Sequence, residues 1–484
     1  MKSISKNSVF NVIYTSLNIL FPLITSMYVA RVLLAAGAGE VAYAHSIASY
    51  FSIAAALGIP IYGIREIAKI NETKDQEKAD KLFSELVALN AISTSIFLIS
   101  YIALIVSIPS FNKNLLLLFC SGTIIFFNFF NLDWFYKGKE EYGYIVIRSL
   151  TIKVLSLVSV IIFVRSTSDI YIYALITGLA VGGNNVFNFV HSRKYVRFKL
   201  KGIKLKPHIY PVIILGISAL FERVYGKIDL TMLGIISGDV ETGIYSYGHK
   251  TIDLALTMST AITAVFMPRL SYYYYTNSES NFSDLIKKGL GIVSLFVFPL
   301  CVGLFIMAPQ FTVLLYGEAF YESSKIIRIL CPLIIINSFS DLLCYQTLIV
   351  VGLEKKRLPA AILGTVINIA LNFVLINSLS SRGAAIASVI SEIIVNGFLL
   401  WFLFGKIKVS IDVKDLLKVL ISTAIMGSVV FIVSRLIHSI LICSVVCILT
   451  GAIIYFSLVF LFKHSQGVAI INTLKNKNKR ETQE

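Results

Sequence analysis

The segment ALFERVYGKIDLTMLG, residues 219–234, places two acids and two bases inside an otherwise apolar stretch. On one continuous helix, Glu222 and Asp229 would share a face, while Arg223 and Lys227 would share the adjoining face. Bases of this kind bind anions through charge-assisted hydrogen bonds, and arginine can hold a phosphate with two parallel bonds. Two interpretations stay open: internal ion pairs that fix the helix register, or the lining of a water-filled path.

Other ionisable side chains also fall within or at the ends of apolar segments. A charge at the centre of a bilayer costs about 2.5–3.5 kcal/mol, so such residues usually face a cavity or a partner. Snorkelling to the membrane surface is the alternative for Arg31 and Arg65, and an interfacial position is the alternative for Asp133 and Glu392. The candidate bases are Arg31, Arg65, Lys153, Arg223, Lys227 and Lys250, and the candidate acids are Glu222, Asp229, Asp253 and Asp341.

The composition indicates that these residues belong to a helical membrane protein. Of 484 residues, 56% are hydrophobic and only 14% are charged, against about 45–50% and about 25% in soluble domains. The apolar runs are continuous and of helix-spanning length rather than alternating. We therefore predict an all-α polytopic membrane protein with about fourteen transmembrane helices, at roughly 8–34, 41–64, 82–107, 114–136, 146–165, 170–192, 209–236, 242–267, 284–308, 326–351, 359–378, 384–404, 416–437 and 441–462.

The basic residues predict the orientation of the chain. A net charge of +16 would suggest nucleic acid for a soluble protein, but here the positive-inside rule is the better interpretation, and no nucleic-acid partner is expected. Of the 43 Lys and Arg residues, 32 lie in one alternate set of loops and seven in the other. This asymmetry predicts that both termini are cytoplasmic.

Two pairs of weakly similar segments within the chain predict a duplicated six-helix unit. Residues 40–43 and 242–245 open the second and eighth spans, and residues 138–140 and 352–354 follow the fourth and tenth. Two units of six helices would be related by an axis along the membrane normal. The predicted domains are an N-terminal lobe at 1–195, a basic cytoplasmic linker at 196–208, a C-terminal lobe at 209–405, two added helices at 406–464 and a polar cytoplasmic tail at 465–484.

Motifs typical of nucleotide-binding proteins, hydrolases and metalloproteins are missing from the sequence. There is no G-x-x-x-x-G-K-[ST] loop for ATP, no nucleophile elbow and no Cys/His spacing typical of a metal site. The six cysteines lie in apolar runs and are interpreted as packing residues. We therefore predict a transporter rather than an enzyme, with no cofactor and no metal.

Several ordered motifs resemble the Wzx-type oligosaccharide flippases of the MOP superfamily, which also contains the multidrug MATE transporters. The resemblance extends from about residue 5 to residue 465, and each motif occupies the expected place in its span. The motifs are Ala30-Arg31-Val32-Leu33, Gly39-Glu40-Val41-Ala42-Tyr43, Gly63-Ile64-Arg65-Glu66-Ile67-Ala68, Asp133-Trp134-Phe135-Tyr136 with Gly138-Lys139-Glu140, Arg223-Val224-Tyr225 with Lys227-Ile228-Asp229, Met232-Leu233-Gly234 and Gly243-Ile244-Tyr245-Ser246.

The resemblance implies a MATE-like fold and a flippase for oligosaccharide repeat units linked to undecaprenyl diphosphate. Such a protein moves its substrate from the inner to the outer leaflet of a bacterial plasma membrane, for surface or capsular polysaccharide synthesis, by alternating access. The six candidate bases would then bind the diphosphate, and the four candidate acids would couple transport to H+ or Na+. The implied partners are the lipid-linked oligosaccharide, membrane lipids, a polysaccharide polymerase and a chain-length regulator, and the chain is expected to be a monomer.

Three alternatives remain open at the level of sequence. A MATE-like drug exporter would use the acids as cation sites. A lipid II flippase shares the span number and has closely related substrate chemistry. A membrane-embedded polymerase or ligase is disfavoured because the predicted outer loops are short.

Overall fold

The computed structural model describes residues 4–73, 75–199, 202–407 and 409–468, and in these ranges every regular element is helical. Most of the predicted polar tail, residues 469–484, lies outside the described residues. The α-helices are α1 (Ile4–Ala56), α2 (Ile59–Thr73), α3 (Gln76–Ser107), α4 (Leu115–Phe126), α5 (Asp133–Gly138), α6 (Tyr142–Phe163), α7 (Ile170–Ser192), α8 (Lys206–Tyr225), α9 (Ile228–Ile236), α10 (Asp239–Thr263), α11 (Met267–Tyr275), α12 (Glu279–Tyr316), α13 (Ser323–Leu330), α14 (Pro332–Ser340), α15 (Leu348–Val350), α16 (Arg357–Phe404), α17 (Val413–Leu436) and α18 (Ile440–Leu461).

The described helices account for the predicted apolar runs. Eleven helical segments are long and apolar enough to cross a membrane, and Leu115–Phe130 is a shorter apolar one. Two long helices each contain one residue with a non-helical backbone, Leu34 in α1 (φ 57°, ψ −175°) and Ser380 in α16 (φ 50°, ψ −128°). These residues separate spans 1 from 2 and 11 from 12, so the predicted all-α membrane fold is confirmed.

Two predicted spans, 41–64 and 209–236, are interrupted. In 41–64, α1 ends at Ala56, Leu57 takes a φ of 49° and α2 begins at Ile59. The prediction of an unbroken helix over 209–236 is wrong, because α8 ends at Tyr225 and α9 begins at Ile228. Gly226 donates its backbone N–H to the Glu222 carbonyl at 3.2 Å, and Lys227 takes a non-helical φ of −134°. Glycine is a weak helix former, and the break removes the premise that Glu222 and Asp229 lie on one helical face.

Two further spans contain local irregularities. The predicted fourth span ends early: a short 3₁₀ turn, Phe127–Phe130, follows α4, and Asp133 begins the separate helix α5. In the predicted tenth span, Asp341–Thr347 forms a π-helical turn, in which the Thr347 hydroxyl donates to the Leu342 carbonyl at 2.8 Å. Such turns are rare and are frequent at functional sites.

The chain divides into two compact units, Met1–Gly243 and Ile244–Glu484. The first unit contains α1–α9 and two buried apolar clusters, one including Tyr101 and the other including Trp134. The second unit contains a cluster that includes Met426 and Tyr455. The lobe boundaries predicted from the sequence stay predictions.

Within the first unit, two glycines let the start of α10 approach α1 closely. A Cβ on Gly39 would lie 1.7 Å from the Asp239 carbonyl oxygen, and a Cβ on Gly243 would lie 2.0 Å from the Ala35 carbonyl oxygen. In both cases the neighbouring atom belongs to the main chain of the other helix, so it cannot move aside as a flexible side chain would. The glycines of two resemblance motifs are therefore explained by this backbone contact.

Candidate functional site

A polar cluster in the first unit brings α1 and α9 together. The Thr231 hydroxyl lies 2.8 Å from both the Ser46 hydroxyl and the Tyr50 hydroxyl. Asp229, two residues before Thr231, is 6% exposed. Arg223, near the end of α8, is exposed, and both charges lie within electrostatic range of the Tyr50 hydroxyl. We call Ser46, Tyr50 and Thr231 the hydroxyl cluster.

This arrangement can exchange hydrogen-bond partners at little cost. Each of the three hydroxyl groups can donate one bond and accept two, so the hydroxyl cluster can rearrange when a neighbouring charge changes. An exposed guanidinium and a buried carboxylate near the same hydroxyl group provide both an anion-binding group and a group that can bind H+ or a cation. The break between α8 and α9 allows the two charges to be positioned independently.

The other predicted bases of the first unit have different partners. The Arg31 guanidinium is exposed and donates to the Met27 carbonyl of its own helix at 2.9 Å. Arg65 is exposed, pairs with Glu66 at 2.9 Å and lies 5.3 Å from the Tyr62 ring. Lys153 and Lys227 are partly exposed.

Lys153 on α6 reaches across to the N-terminal part of α1. Its Nζ donates to the Leu17 carbonyl at 3.2 Å. Arg31, Arg65 and Lys153 thus contact different groups, and their roles as diphosphate-binding residues stay predictions.

In the second unit, two of the predicted charged residues, Lys250 and Asp253, lie on α10, and Asp341 lies on the π-helical turn. The Lys250 ammonium lies 4.7 Å from the Tyr247 ring. The Asp253 carboxylate lies 3.2 Å from His249 Nδ1. Asp341 begins the π-helical turn and accepts hydrogen bonds from the Thr263 hydroxyl and, at 3.1 Å, from the Gln346 amide.

Glu392 belongs to a separate amide network in the second unit. Its carboxylate accepts from the Asn396 amide at 3.1 Å, and Asn396 also bonds to Asn337 at 3.3 Å. This network joins α14 to α16.

Sequence reasoning missed a buried ion pair between Arg148 and Asp133. The Arg148 side chain is 5% exposed, and its Nη2 lies 3.1 Å from Asp133 Oδ1. Asn188 donates to the same carboxylate oxygen at 2.6 Å. The 32 basic residues assigned to the cytoplasmic loops from the sequence include Arg148, although its place six residues into α6, within an apolar run, is a signal of burial. Together with Asn188, this ion pair joins α5, α6 and α7.

A second missed cluster lies near the basic linker. His208 Nε2 lies 2.9 Å from Glu85 Oε2, and its Nδ1 lies 2.9 Å from the Tyr62 hydroxyl. Both Glu85 and His208 are buried, and no short-range spacing in the sequence connects them. Only the folded chain shows that α2, α3 and α8 meet here.

Lys139 has a perturbed pKa in the loop of the Gly138-Lys139-Glu140 motif. Its ammonium lies 5.5 Å from the Phe135 ring and 5.4 Å from the Tyr195 ring. Burial lowers the pKa of Lys139 from its ordinary value. Among the described residues, no three His, Cys, Asp or Glu side chains come together as metal ligands.

Comparisons with known proteins identify a family match and a similar fold. A family model described as "Polysaccharide biosynthesis protein" matches residues 4–274. A protein of Escherichia coli K12 named "Putative O-antigen transporter" is 22% identical over 403 residues, covering 83% of this chain and 96% of its own length. A structure titled "Lipid II flippase MurJ, inward closed conformation" aligns with a TM-score of 0.74 at 16% identity, covering 94% of this chain and 98% of its own.

A second solved structure supports the same fold. It is an inward-facing MATE family multidrug resistance transporter of the MOP superfamily, with a TM-score of 0.62 at 18% identity, covering 79% of this chain and 93% of its own. The matched family segment, residues 4–274, includes all six predicted bases and three of the four predicted acids; only Asp341 lies beyond it.

Proposed function

Because the chain belongs to the polysaccharide biosynthesis protein family, we propose that it is a flippase that moves a lipid-linked oligosaccharide across a membrane. The resemblance to Wzx-type flippases of the MOP superfamily is confirmed by this family match and by relatives named as O-antigen transporters. The observation that carries the proposal is the family match over a segment that holds every predicted base.

The diphosphate is the part of such a substrate that crosses hydrocarbon least readily. An arginine that can form two parallel hydrogen bonds to phosphate oxygens lowers this cost. Arg223 is suited to the task because it is exposed and lies near the hydroxyl cluster, whose members can bond to the remaining phosphate oxygens. In this proposal the glycan stays hydrated while the polyprenyl tail remains in lipid.

The proposed substrate is an oligosaccharide repeat unit on undecaprenyl diphosphate. The proposed direction is from the inner to the outer leaflet of a bacterial plasma membrane, by alternating access, with both termini in the cytoplasm. The product would supply surface or capsular polysaccharide synthesis, with a polymerase and a chain-length regulator acting next on the exported units.

A flipping assay in proteoliposomes tests this function directly. A fluorescent oligosaccharide on undecaprenyl diphosphate should become accessible to a membrane-impermeant glycosidase faster than in protein-free vesicles. Lipid II and a cationic dye serve as comparison substrates in parallel assays. Faster movement of lipid II would assign the chain to lipid II flipping, movement of the dye alone would assign a MATE-like activity, and movement of none would refute transport.

We also propose that transport is coupled to H+ or Na+. Among the candidate acids Glu222, Asp229, Asp253 and Asp341, Asp229 is favoured because it is buried beside the hydroxyl cluster. Asp229→Asn and Glu222→Gln should lose gradient-driven flipping and keep substrate binding. Transport by the unmodified protein that is equally fast without a gradient would refute coupling and would leave a flippase driven by product removal.

A further inference from the structure

Between α7 and α8, the backbone is bound to side chains of α3 at three of the described positions. We call residues 193–206 the basic strap; it contains seven Lys and Arg and no acid. Three side chains of α3 accept backbone N–H groups of the strap, at residues whose own side chains are exposed. The three bonds are Arg197 N to Asp80 at 3.0 Å, Lys199 N to Ser84 at 2.8 Å and Lys204 N to Glu85 at 2.9 Å.

A shallow cavity of about 320 Å³ lies between the strap, α3 and the start of α8. Its volume is at the lower end of the range for small-ligand sites, about 300–1,000 Å³. Three lysines, all exposed, supply its charged groups, and Ile70, Leu82 and Pro207 supply apolar surface. The lining residues are Ile70, Lys78, Lys81, Leu82, Glu85, Lys204, Pro207 and His208.

The one acid in this lining is already engaged. The Glu85 side chain is 7% exposed, with one oxygen accepting the Lys204 N–H and the other 2.9 Å from His208 Nε2. An anion in the cavity would therefore face ammonium groups rather than an open carboxylate. Lys78 also contacts Asp75 at 3.1 Å, but the Lys78 side chain is 71% exposed, and an exposed pair of this kind contributes little.

Apolar side chains beside the strap are exposed as well. Phe198 is 49% exposed, Ile209 is 40% exposed and Tyr210 is 75% exposed. Aromatic and aliphatic groups next to clustered bases are typical of chains at the membrane surface. The Lys/Arg asymmetry predicts that this surface is the cytoplasmic one.

We propose that the cavity of Lys78, Lys81 and Lys204 binds the headgroup of an anionic phospholipid. The phosphate contacts the three ammonium groups, the acyl chains pass over the exposed apolar side chains, and the strap is pinned to α3 by its backbone. Basic pockets at the membrane surface bind anionic headgroups in this way. The site is independent of the proposed function, since it needs neither a glycan nor a transport step.

Native mass spectrometry of the purified full-length protein tests the proposal. Bound phosphatidylglycerol and phosphatidylcholine are titrated separately against the unmodified protein and a triple variant, Lys78→Gln/Lys81→Gln/Lys204→Gln. A matched variant removes the same charge from exposed lysines outside the strap and the cavity, Lys355→Gln/Lys406→Gln/Lys414→Gln. Lys81→Gln alone, against Lys355→Gln, repeats the comparison with the smallest change in the protein.

The proposal expects one saturable phosphatidylglycerol site in the unmodified protein, with weaker phosphatidylcholine binding. Affinity should fall about five-fold per cavity lysine removed, and the matched variant should keep the site. An equal loss of phosphatidylglycerol affinity in the matched variant would indicate that the lipid binds to diffuse surface charge, and it would overturn the proposal. Displacement of the lipid by millimolar inorganic phosphate would assign the cavity to a soluble anion, and equal binding of both lipids would also overturn it.

Discussion

Arg223 and the hydroxyl cluster are suited to bind an anionic substrate through individual side chains. The guanidinium is exposed at the end of α8, while Tyr50 and Thr231 are joined at 2.8 Å on neighbouring helices. A planar donor group next to adaptable hydroxyl groups matches the several oxygens of a diphosphate better than a single point charge would.

Replacement of Arg223 should therefore impair flipping in a graded manner. Arg223→Ala should lower the initial rate about ten- to hundred-fold, because hydrogen bonds to charged groups contribute about 1.5–3 kcal/mol. Arg223→Lys should retain part of the rate, since it keeps the charge and loses the planar fork. The measurement is the glycosidase-access assay, with Arg165→Ala as a loop control; normal rates in Arg223→Ala would place the diphosphate site elsewhere.

His464 predicts a pH-dependent loss of stability. Its side chain is fully buried after α18, and its Nδ1 accepts the Gly467 N–H at 3.3 Å. Burial holds the pKa of His464 below its ordinary value, so the unfolded chain takes up a proton that the folded chain resists. The neutral His464 side chain therefore stabilises the folded protein above about pH 6.5. This contribution to the free energy of unfolding is lost as the pH falls from there toward the pKa of His464 in the folded state.

The expected result is a larger fall in melting temperature between pH 7.5 and pH 5.5 for the unmodified protein than for His464→Gln, by on the order of 2 °C. Thermal unfolding in detergent is the measurement. His438→Gln, at an exposed histidine, should behave like the unmodified protein. Parallel pH curves for His464→Gln and the unmodified protein would contradict the prediction.

At this scale the sequence predicted which residues are charged within spans but not which of them meet. Arg223 and Asp229 were identified by their type, whereas the bond from Thr231 to Ser46 joins residues 185 positions apart. Arg148 was misassigned because a loop cation and a buried partner of Asp133 look alike when only Lys and Arg are counted. Long-range partners depend on packing, which no local spacing encodes.

At the scale of helices, the contact between α1 and the start of α10 depends on two glycines. Gly39→Ala would place a methyl group 1.7 Å from the Asp239 carbonyl oxygen, and the backbone of one helix would have to move. We expect a loss of about 1–3 kcal/mol of stability, as for overpacking elsewhere. The measurement is thermal unfolding together with the yield of monodisperse protein.

Gly397→Ala is the matched control for this substitution. Gly397 lies inside α16, and a Cβ there would meet no atom within 4 Å, so alanine should be neutral or stabilising by about 0.4–1 kcal/mol. A Gly39→Ala protein as stable as Gly397→Ala would show that the helices do not approach as closely as described.

Apolar length predicted the helices well, and local backbone breaks were predicted poorly. Continuous hydrophobicity identifies a span, but it does not show whether the span is one helix or two, so the break at Gly226 between α8 and α9 was not predicted. The π-helical turn at Asp341 was also not predicted, because its sequence, DLLCYQT, contains no glycine or proline that would mark a change in the helix.

For the whole molecule, the charge asymmetry predicts a definite topology. In a cysteine-free background, Ser237→Cys and Ser380→Cys should react with an impermeant maleimide added outside intact cells, because both follow spans that end at the outer surface. Lys204→Cys and Lys355→Cys should react only after permeabilisation. Labelling of Lys204→Cys in intact cells would break the predicted alternation of fourteen spans.

The way α3 holds the basic strap has a consequence for natural variation. Because Asp80, Ser84 and Glu85 bind the backbone N–H groups of Arg197, Lys199 and Lys204, the path of the strap at these three positions depends little on the side chains there. Nearly any amino acid at positions 197, 199 and 204 can keep the path, and proline, which has no N–H, is the exception. The charge of this surface can therefore change by substitution at these positions, while the chain keeps the same route between its helices.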